Sequence, residues 1–369
     1  MSDDTKEPEA KAVNPAPPPL PEASPEKSAE AVDASVRHEE PLVDAPETSP
    51  EPQRAAQADA AAAQDHTPQP GAKEPRRPGI TGGQGLDPRR HAFRPDLAAD
   101  NLRDHVEAER YVAGEWAQII IPCAQIRNKP SIEAPVDTEA LFGEVLVVYE
   151  VADGWAWVQI LRDGYVGYTP IDAITSDVEW PTHRVKAIGT FVYPEPDIKK
   201  PPLAHLSLNS ALRVAERVDD FYQLTSGGFV HMRHVAGQEV YARDFVDVAE
   251  RFIGTPYLWG GRSRLGIDCS GLVQIALEAA GIPAPRDSDM QRAELGNDVL
   301  IRKDYEGLQR GDLVFWPGHV GIMVDGLMLL HANAHHMAVT VETLPEAIER
   351  IAKTGDRPTA IKRLDQAIS

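Results

Sequence analysis

The chain has 369 residues, with 37 basic and 57 acidic side chains and a formal net charge of −20. This length predicts two or three domains of about 100 to 200 residues each. The acidic balance disfavours nucleic acid as the main partner, because phosphate binding requires a basic face.

The N-terminal region differs in composition from the rest of the chain. Residues 1–80 hold 16 acidic and 8 basic side chains and 15 of the 32 prolines, and no Phe, Trp or Tyr occurs before Phe93. Such a segment cannot bury enough apolar surface to offset the entropy lost on ordering. We therefore expect residues 1–90 to form a disordered, acidic, Pro/Ala-rich tail that serves as a solvated spacer.

Targeting signals and cysteine usage indicate the compartment. Residues 1–5 lack the basic and apolar segments of a secretory signal, and the longest aliphatic stretch, residues 119–122, is far too short to cross a bilayer. The two cysteines, Cys123 and Cys269, lie in segments of different type, which favours reduced thiols over a disulfide. We expect a cytoplasmic protein without a transmembrane segment, or a periplasmic or secreted one if the true start differs.

After a lead-in around residues 97–112 that we expect to be helical, the pattern becomes β-like. Residues 144–151 and 155–161 are rich in β-branched and aromatic side chains and flank a turn at 152–154, which predicts a small barrel. The pattern recurs at residues 218–231 and indicates a duplicated module. We expect a first barrel with its lead-in over residues 91–178 and a second over 179–240. They resemble the bacterial SH3-like domains that accompany cell-wall enzymes.

The last segment changes to helical periodicity. Phe245, Val248, Ala249 and Phe252 share one helix face, and a second helix is predicted from Cys269 onward. Three strands are then predicted at residues 313–316, 319–324 and 327–331. Helices followed by an antiparallel sheet predict an α+β domain over residues 241–365.

Cys269 is the candidate nucleophile of this domain. It lies on the first turn of a predicted helix, where unpaired backbone N–H groups and the helix dipole favour a thiolate. The thiolate is the reactive form of cysteine. The alternative from position alone is a buried cysteine that acts as a small hydrophobic residue.

Two histidines on neighbouring strands complete a candidate catalytic set. A three-residue loop at 324–326, with Gly326 in the left-handed conformation, would pair residue 323 with 327 and His319 with His331. Both rings would then project from one face, with one as general base and the other holding its distal nitrogen. A two-residue turn would place them on opposite faces.

Five motifs follow one another in the last segment. In chain order they are Gly254-Thr-Pro-Tyr257-Leu-Trp-Gly-Gly, Asp268-Cys-Ser-Gly, Gly311-Asp-Leu-Val-Phe, His319-Val-Gly-Ile and His331-Ala. Together they resemble the NlpC-type cysteine peptidases of papain-like fold. The resemblance covers residues 241–365. It implies that Cys269 is the nucleophile, His319 the base and His331 the orienting third residue. It also implies that Tyr257 lies near the oxyanion site.

The resemblance further implies a substrate. Similar enzymes with SH3-like domains cleave the bond between γ-D-Glu and the diamino acid of peptidoglycan stem peptides. These enzymes often require a free N-terminal L-Ala. The implied binding residues are Asp268 and Ser270 for the amine, Arg286 with Ser288 for a carboxylate, and Glu144 with Tyr165 closing the pocket from the first barrel. The alternatives are that Asp268 only caps a helix, that Arg286 is a solvated loop charge, and that Glu144 and Tyr165 are ordinary barrel residues.

We expect no cofactor. His335 and His336 near His331 and Cys269 suggest a zinc site, but tight local ligand spacing is missing, so we interpret both as loop residues. The leading hypothesis is a cysteine endopeptidase acting on peptidoglycan stem peptides or muropeptides in cell-wall recycling. The alternatives are a non-catalytic muropeptide-binding module and an amidase or acyltransferase on the same scaffold.

Overall fold

The computed structural model describes residues 85–302 and 304–365. Of the predicted tail over residues 1–90, residues 1–84 therefore lie outside the described residues. The lead-in is helical only in one 3₁₀ turn, Asp100–Leu102; it also contains two parallel strands, β1 (Leu97–Ala99) and β2 (Arg110–Val112). The helix prediction was wrong because all three residues of β1 are buried, whereas a surface helix buries only one stripe.

Residues 115–175 form one antiparallel sheet of seven strands. The strands are β3 (Glu115–Ile119), β4 (Cys123–Arg127), β5 (Val136–Leu141), β6 (Val145–Ala152), β7 (Trp155–Ile160), β8 (Val166–Pro170) and β9 (Ile174–Thr175). Their order is β5-β4-β8-β7-β6-β3-β9. Asp153 and Gly154, both with positive φ, form the predicted tight turn between β6 and β7.

The next segment contains eight short strands in two sheets. They are β10 (His183–Val185), β11 (Gly189–Tyr193), β12 (Ala204–Ser207), β13 (Ala211–Leu212), β14 (Val214–Val218), β15 (Phe221–Leu224), β16 (Phe229–His231) and β17 (Val235–Gly237). The sheet orders are β12-β11-β16-β15-β14 and β13-β10-β17. The detailed description as two barrels stays a prediction.

The helices of the last segment lie close to where the sequence predicts them. The elements are α1 (Phe245–Glu250), β18 (Arg262–Ser263), β19 (Gly266–Ile267), α2 (Cys269–Ala279) and α3 (Ser288–Glu294). Gly254 and Gly281, with φ of 82° and 77°, follow α1 and α2. Only glycine adopts this conformation without strain, so both residues help to end the helices.

A six-stranded antiparallel sheet follows and carries both histidines. Its elements are β20 (Asn297–Asp298), β21 (Leu313–Trp316), β22 (His319–Met323), β23 (Met328–Asn333), β24 (Ala338–Thr343), α4 (Leu344–Ala352) and β25 (Ala360–Arg363), in the sheet order β20-β25-β21-β22-β23-β24. The buried helix α2 packs against β22 and β23 around one large core. This packing brings the start of α2 to the strands of His319 and His331.

Among the described residues, no helix has both the length and the apolar character needed to cross a bilayer.

Candidate active site

Cys269 is the first residue of α2, and its side chain is buried at the edge of the main core. Asp268 is the N-cap of this helix, and its Oδ1 accepts a hydrogen bond from the backbone N–H of Gly271 at 2.7 Å. Such a cap contributes about 1 kcal/mol to helix stability. The thiol therefore lies at the positive end of a helix of 11 residues, a position that favours an anionic sulfur.

His319 and His331 are in hydrogen-bond contact, with 2.8 Å between Nε2 of His319 and Nδ1 of His331. The predicted shared face is observed, but the predicted register was wrong. Ile322 pairs with Leu330, which places the partner of His331 two residues further along β22 than predicted. Because the error is two residues, the alternation of side chains is preserved and both rings stay on one face.

The hairpin loop explains the register error. The backbone N–H of Val324 donates to the carbonyl of Met328 at 2.8 Å, so the three loop residues are 325–327 rather than 324–326. Asp325 accepts hydrogen bonds from the backbone N–H groups of Leu327 and Met328. This side-chain-stabilised turn does not require the left-handed conformation predicted for Gly326, which has no positive φ.

Glu342 and Arg350 extend the histidine pair, and sequence reasoning missed both. Nε2 of His331 lies 2.7 Å from Oε1 of Glu342. The same carboxylate oxygen accepts a hydrogen bond from the guanidinium of Arg350 on α4. A polar chain thus crosses three strands and one helix, and pairing of β23 with β24 sets its geometry.

The charges in this chain shift several pKa values. Burial, with the nearby charges of His331 and Arg350, holds the pKa of His319 well below its ordinary value. Burial also lowers the pKa of His331, although Glu342 opposes this effect. Burial alone would raise the pKa of Glu342, but hydrogen bonds from His331 and Arg350 lower it to about 2. Near neutral pH the carboxylate is therefore ionised and both rings are neutral.

Arg286 joins the predicted residues Asp268 and Ser270 in a buried cluster. Its guanidinium donates to Oδ2 of Asp268 at 2.6 Å, to Oγ of Ser270 at 2.7 Å and, through Nε, to Oγ1 of Thr138 at 2.8 Å. Arg286 is only 1% exposed, so the loop-charge alternative was wrong. All three of its nitrogens bond with protein atoms, and two of the partners flank Cys269.

Asp268 is saturated by donors from the protein. Its Oδ1 accepts from Gly271 and Ser270, and its Oδ2 accepts from the backbone N–H of Gly260 at 2.9 Å as well as from Arg286. A carboxylate offers about four acceptor sites. The helix-capping alternative is therefore the geometry observed, and this carboxylate has little capacity left for a substrate amine.

Asp287 connects Tyr165 with the cluster around Arg286. The sequence did not predict a role for this residue. Rather than capping α3, its carboxylate accepts a hydrogen bond from the hydroxyl of Tyr165 at 3.2 Å and pairs with Arg89 at 2.8 Å. Burial, with the nearby charges of Asp289 and Asp268, raises the pKa of Asp287 to about 6. The signal in the sequence was its position between two selected residues, Arg286 and Ser288.

Glu144 belongs to a different ionic cluster. Its carboxylate accepts from Arg162 at 2.9 Å and from Arg262 at 3.3 Å, and both arginines also pair with Glu278. Glu278 is near the C-terminal end of α2, about 14 Å along the helix axis from Cys269 at 1.5 Å per residue. The contacts of Glu144 are thus with Arg162 and Arg262, and its place in an amine pocket stays a prediction.

Tyr257 and Ser288 lie beside the helices of the site. Tyr257 is half-buried and donates its backbone N–H to the carbonyl of Met337 at 2.9 Å. It also forms an isolated β-bridge with Ile267, the residue just before the N-cap of α2. Ser288 is 2% exposed and begins α3.

His335 and His336 are in the exposed turn between β23 and β24. Nδ1 of His336 lies 3.1 Å from Oδ1 of Asn333. Within residues 85–302 and 304–365, no group of three or more His, Cys, Asp or Glu side chains is arranged to hold a metal ion.

Comparison with known families agrees with this geometry. Residues 254–353 match the NlpC/P60 family. The chain contains an NlpC/P60 domain. This domain includes Cys269 and both histidines of the polar chain. Residues 126–174, within the seven-stranded sheet, match the bacterial dipeptidyl-peptidase SH3 domain. The predicted resemblance to NlpC-type peptidases is confirmed, as is the prediction of a hydrolase.

Relatives extend the similarity beyond the NlpC/P60 domain. Dipeptidyl-peptidase 6 of Lysinibacillus sphaericus is 27% identical over 253 residues, which cover 62% of this chain and 92% of the relative. The γ-D-glutamyl-L-lysine dipeptidyl-peptidase of Bacillus subtilis is 27% identical and shares 58% of this chain and 77% of its own. A crystal structure of an NlpC/P60 family protein from Bacillus cereus superposes with a TM-score of 0.57 at 21% identity, covering 68% of this chain and 99% of that one. This last similarity shows a common fold.

Proposed function

We propose that the chain is a cysteine endopeptidase that hydrolyses the bond between γ-D-glutamate and the diamino acid of peptidoglycan stem peptides or free muropeptides. The names of the two relatives support a dipeptide-releasing activity of this kind. A cytoplasmic role in recycling of cell-wall peptides stays a prediction.

The proposed chemistry follows from the helix start and the histidine pair. The sulfur of Cys269 attacks the γ-carbonyl carbon of D-glutamate, and His319 takes the thiol proton. Backbone N–H groups at the start of α2, with Tyr257 nearby, stabilise the negative oxygen. The proton then passes to the leaving amine of the diamino acid. Water hydrolyses the thioester and releases L-Ala-γ-D-Glu.

Contacts from the seven-stranded sheet support a short substrate. Thr138 on β5 bonds with Arg286, and Tyr165 bonds with Asp287, so the sheet contacts the residues that follow α2 and position its N-cap. The carbonyl of Val136 lies only 2.7 Å from where a Cβ on Gly260 would be, which shows how closely β5 approaches the loop before Cys269. We propose that β5 closes one end of the peptide-binding cleft, so that only two substrate residues fit before the scissile bond.

The single observation that carries the proposed specificity is the carboxylate of Asp287, whose side chain is 13% exposed, beside Tyr165. Arg89 donates to Oδ2 at 2.8 Å, and the hydroxyl of Tyr165 lies 3.2 Å from Oδ2 and 3.5 Å from Oδ1. A carboxylate offers about four acceptor sites, so Asp287 can still accept a hydrogen bond from an ammonium group. We propose that Asp287 and Tyr165, rather than Glu144 and Asp268, bind the free amine of the N-terminal L-Ala.

The first test uses L-Ala-γ-D-Glu-meso-diaminopimelate, the same peptide with an acetylated N-terminus, and the L-lysine analogue. We expect release of L-Ala-γ-D-Glu from the free peptides, detected by chromatography with mass spectrometry. Acetylation is expected to lower kcat/KM at least about 100-fold, because a buried carboxylate would lose its charged partner. The ratio of the two free peptides identifies the preferred diamino acid.

Other results would select the alternatives. Retained peptide binding without cleavage would favour the muropeptide-binding module. Cleavage at a sugar-linked amide, or transfer of an acyl group from a lipid, would favour the amidase or acyltransferase. Equal cleavage of free and acetylated peptides would contradict the amine pocket while leaving the peptidase proposal intact.

Substitution of Asp287 by asparagine tests the pocket directly. We expect D287N to raise KM for the free peptide about 10- to 100-fold, as the loss of a charged hydrogen bond predicts. Because the pKa of Asp287 is raised to about 6, the wild type should lose substrate affinity as pH falls below that value and the carboxyl becomes neutral. In D287N this pH dependence of KM should be absent.

Asp289 provides the matched control. It also pairs with Arg89, but its side chain is 49% exposed. D289N should therefore leave KM for the free peptide and its pH dependence nearly unchanged. If D289N and D287N raise KM equally, the general negative charge of this region attracts the amine, and the Asp287 pocket is wrong.

A further inference from the structure

The polar chain that begins at His319 continues beyond the third residue of the proposed triad. The contacts run from His319 to His331 at 2.8 Å, from His331 to Glu342 at 2.7 Å, and from Glu342 to Arg350. His331 is fully buried, and the side chains of Glu342 and Arg350 are 13% and 20% exposed. Bulk water therefore has little access to compete for these hydrogen bonds.

The chemistry of each member sets the direction of every hydrogen bond. An ionised carboxylate only accepts, so Nε2 of His331 must carry the hydrogen that points at Glu342. In a neutral ring Nδ1 then has no hydrogen and accepts from Nε2 of His319. Nδ1 of His319 is consequently the nitrogen without a hydrogen. Only this order satisfies every contact when both rings are neutral.

We propose that Glu342 is a positioning residue for the active site, held by Arg350, and that it sets the tautomers of His331 and His319 so that Nδ1 of His319 is the base for the thiol of Cys269. The inference rests on the proposed roles of Cys269 and His319. Glu342 touches neither substrate nor sulfur and acts through two imidazole rings. Its carboxylate also stabilises positive charge on those rings when His319 takes the proton.

Several other groups lie near the two imidazole rings, and a test of the charge on Glu342 must take them into account. Cys269 begins α2, which packs against β22 and β23. The ring of Trp316 on β21 lies 5.6 Å from that of His319, and His336 in the β23–β24 turn repels a proton on His331. Arg350 lowers the pKa of both His319 and His331, whereas Glu342 raises both. Glu342 and Arg350 therefore act on the rings with opposite sign.

Because Glu342 and Arg350 shift the pKa values of the two rings in opposite directions, E342Q and R350M in the full-length chain form a paired experiment. The readout is the rate at which iodoacetamide alkylates Cys269 as a function of pH, quantified by peptide mapping so that Cys123 is counted separately. Removing a nearby negative charge makes every deprotonation easier, so E342Q should move the profile to lower pH by about 0.5. R350M should move it to higher pH. Peptide hydrolysis by E342Q should fall about 10- to 100-fold, as for other partners that orient a functional histidine.

Glu349 supplies the control, because it is an exposed glutamate on the same helix α4. E349Q has the same change of charge and should leave the alkylation profile in place. Circular dichroism and thermal unfolding check that each variant is folded. Loss of activity in folded E342Q with an unmoved profile would show a merely structural role and overturn the proposal. Shifts of the same sign in E342Q and R350M, or a shift in E349Q, would overturn it as well.

Alkylation needs no muropeptide, so this test separates the inference from the proposed function. If the paired shifts occur but no stem peptide is cleaved, the polar chain is correct and the proposed substrate is wrong. If peptides are cleaved and the profile does not respond to Glu342, the peptidase stands and the positioning role does not.

Discussion

Hydrolysis of L-Ala-γ-D-Glu-diaminopimelate is expected to fall at least about 10⁴-fold when Cys269 is replaced by alanine, because no other group can form the thioester. The change removes one sulfur atom from the first position of α2 and leaves the Asp268 cap in place. The variant should therefore fold and still bind the peptide. Cleavage is measured by chromatography, and binding to the inactive variant by calorimetry.

Cys123 is the matched control for this substitution. It is half-buried, and burial together with Glu139 raises the pKa of its thiol well above the ordinary value, so it is a poor nucleophile near neutral pH. C123A should retain most of the wild-type activity. Substantial cleavage by C269A, or loss of activity in folded C123A, would contradict the assignment of the nucleophile.

Replacement of Arg286 by methionine is expected to lower the free energy of unfolding by about 3 to 5 kcal/mol, the usual cost of removing one partner from a buried ion pair. Arg286 is 1% exposed, and its loss would leave the carboxylate of Asp268 buried without its charged partner. The N-cap of α2 and the contact with Thr138 would weaken together. Chemical denaturation followed by tryptophan fluorescence measures the change.

Arg310 allows the same substitution at a more accessible ion cluster. It pairs with Asp244, Asp247 and Glu250, but its side chain is 34% exposed. R310M should cost less than about 1 kcal/mol, because solvent screens pairs of this kind. Equal destabilisation by R286M and R310M would show that the Arg286 cluster has no special part in holding the site. Partial recovery in R286M/D268N would localise the cost to the unpaired carboxylate.

Local patterns in the sequence predicted the parts of the site that depend on neighbouring residues. The helical spacing after Cys269 and the Asp-Cys pair predicted a thiol at a helix start, which the structure has. The shared face of His319 and His331 was also predictable, because side chains on paired strands alternate with a period of two. The register itself was mispredicted by two residues because Asp325, rather than Gly326, determines the turn.

The tertiary structure alone decided which charged groups meet. Arg286 forms a hydrogen bond with Thr138, which lies in a sheet almost 150 residues earlier. Asp287 bonds with Tyr165, and His331 bonds with Glu342 on the next strand. Glu144, which the resemblance implies for the same pocket, pairs with Arg162 and Arg262. No periodicity encodes these pairs, because the first two depend on how the seven-stranded sheet packs against the NlpC/P60 domain and the third on the pairing of β23 with β24.

The sequence by itself therefore determined the helix start at Cys269, the shared face of the two histidines and the resemblance to NlpC/P60 domains. Each of these depends on backbone geometry that repeats within one helix or one hairpin. The packing of distant segments decided the partners of Asp268, Asp287 and His331. A buried charge is stable only beside a compensating group, and in a folded chain that group can come from any distance along the sequence.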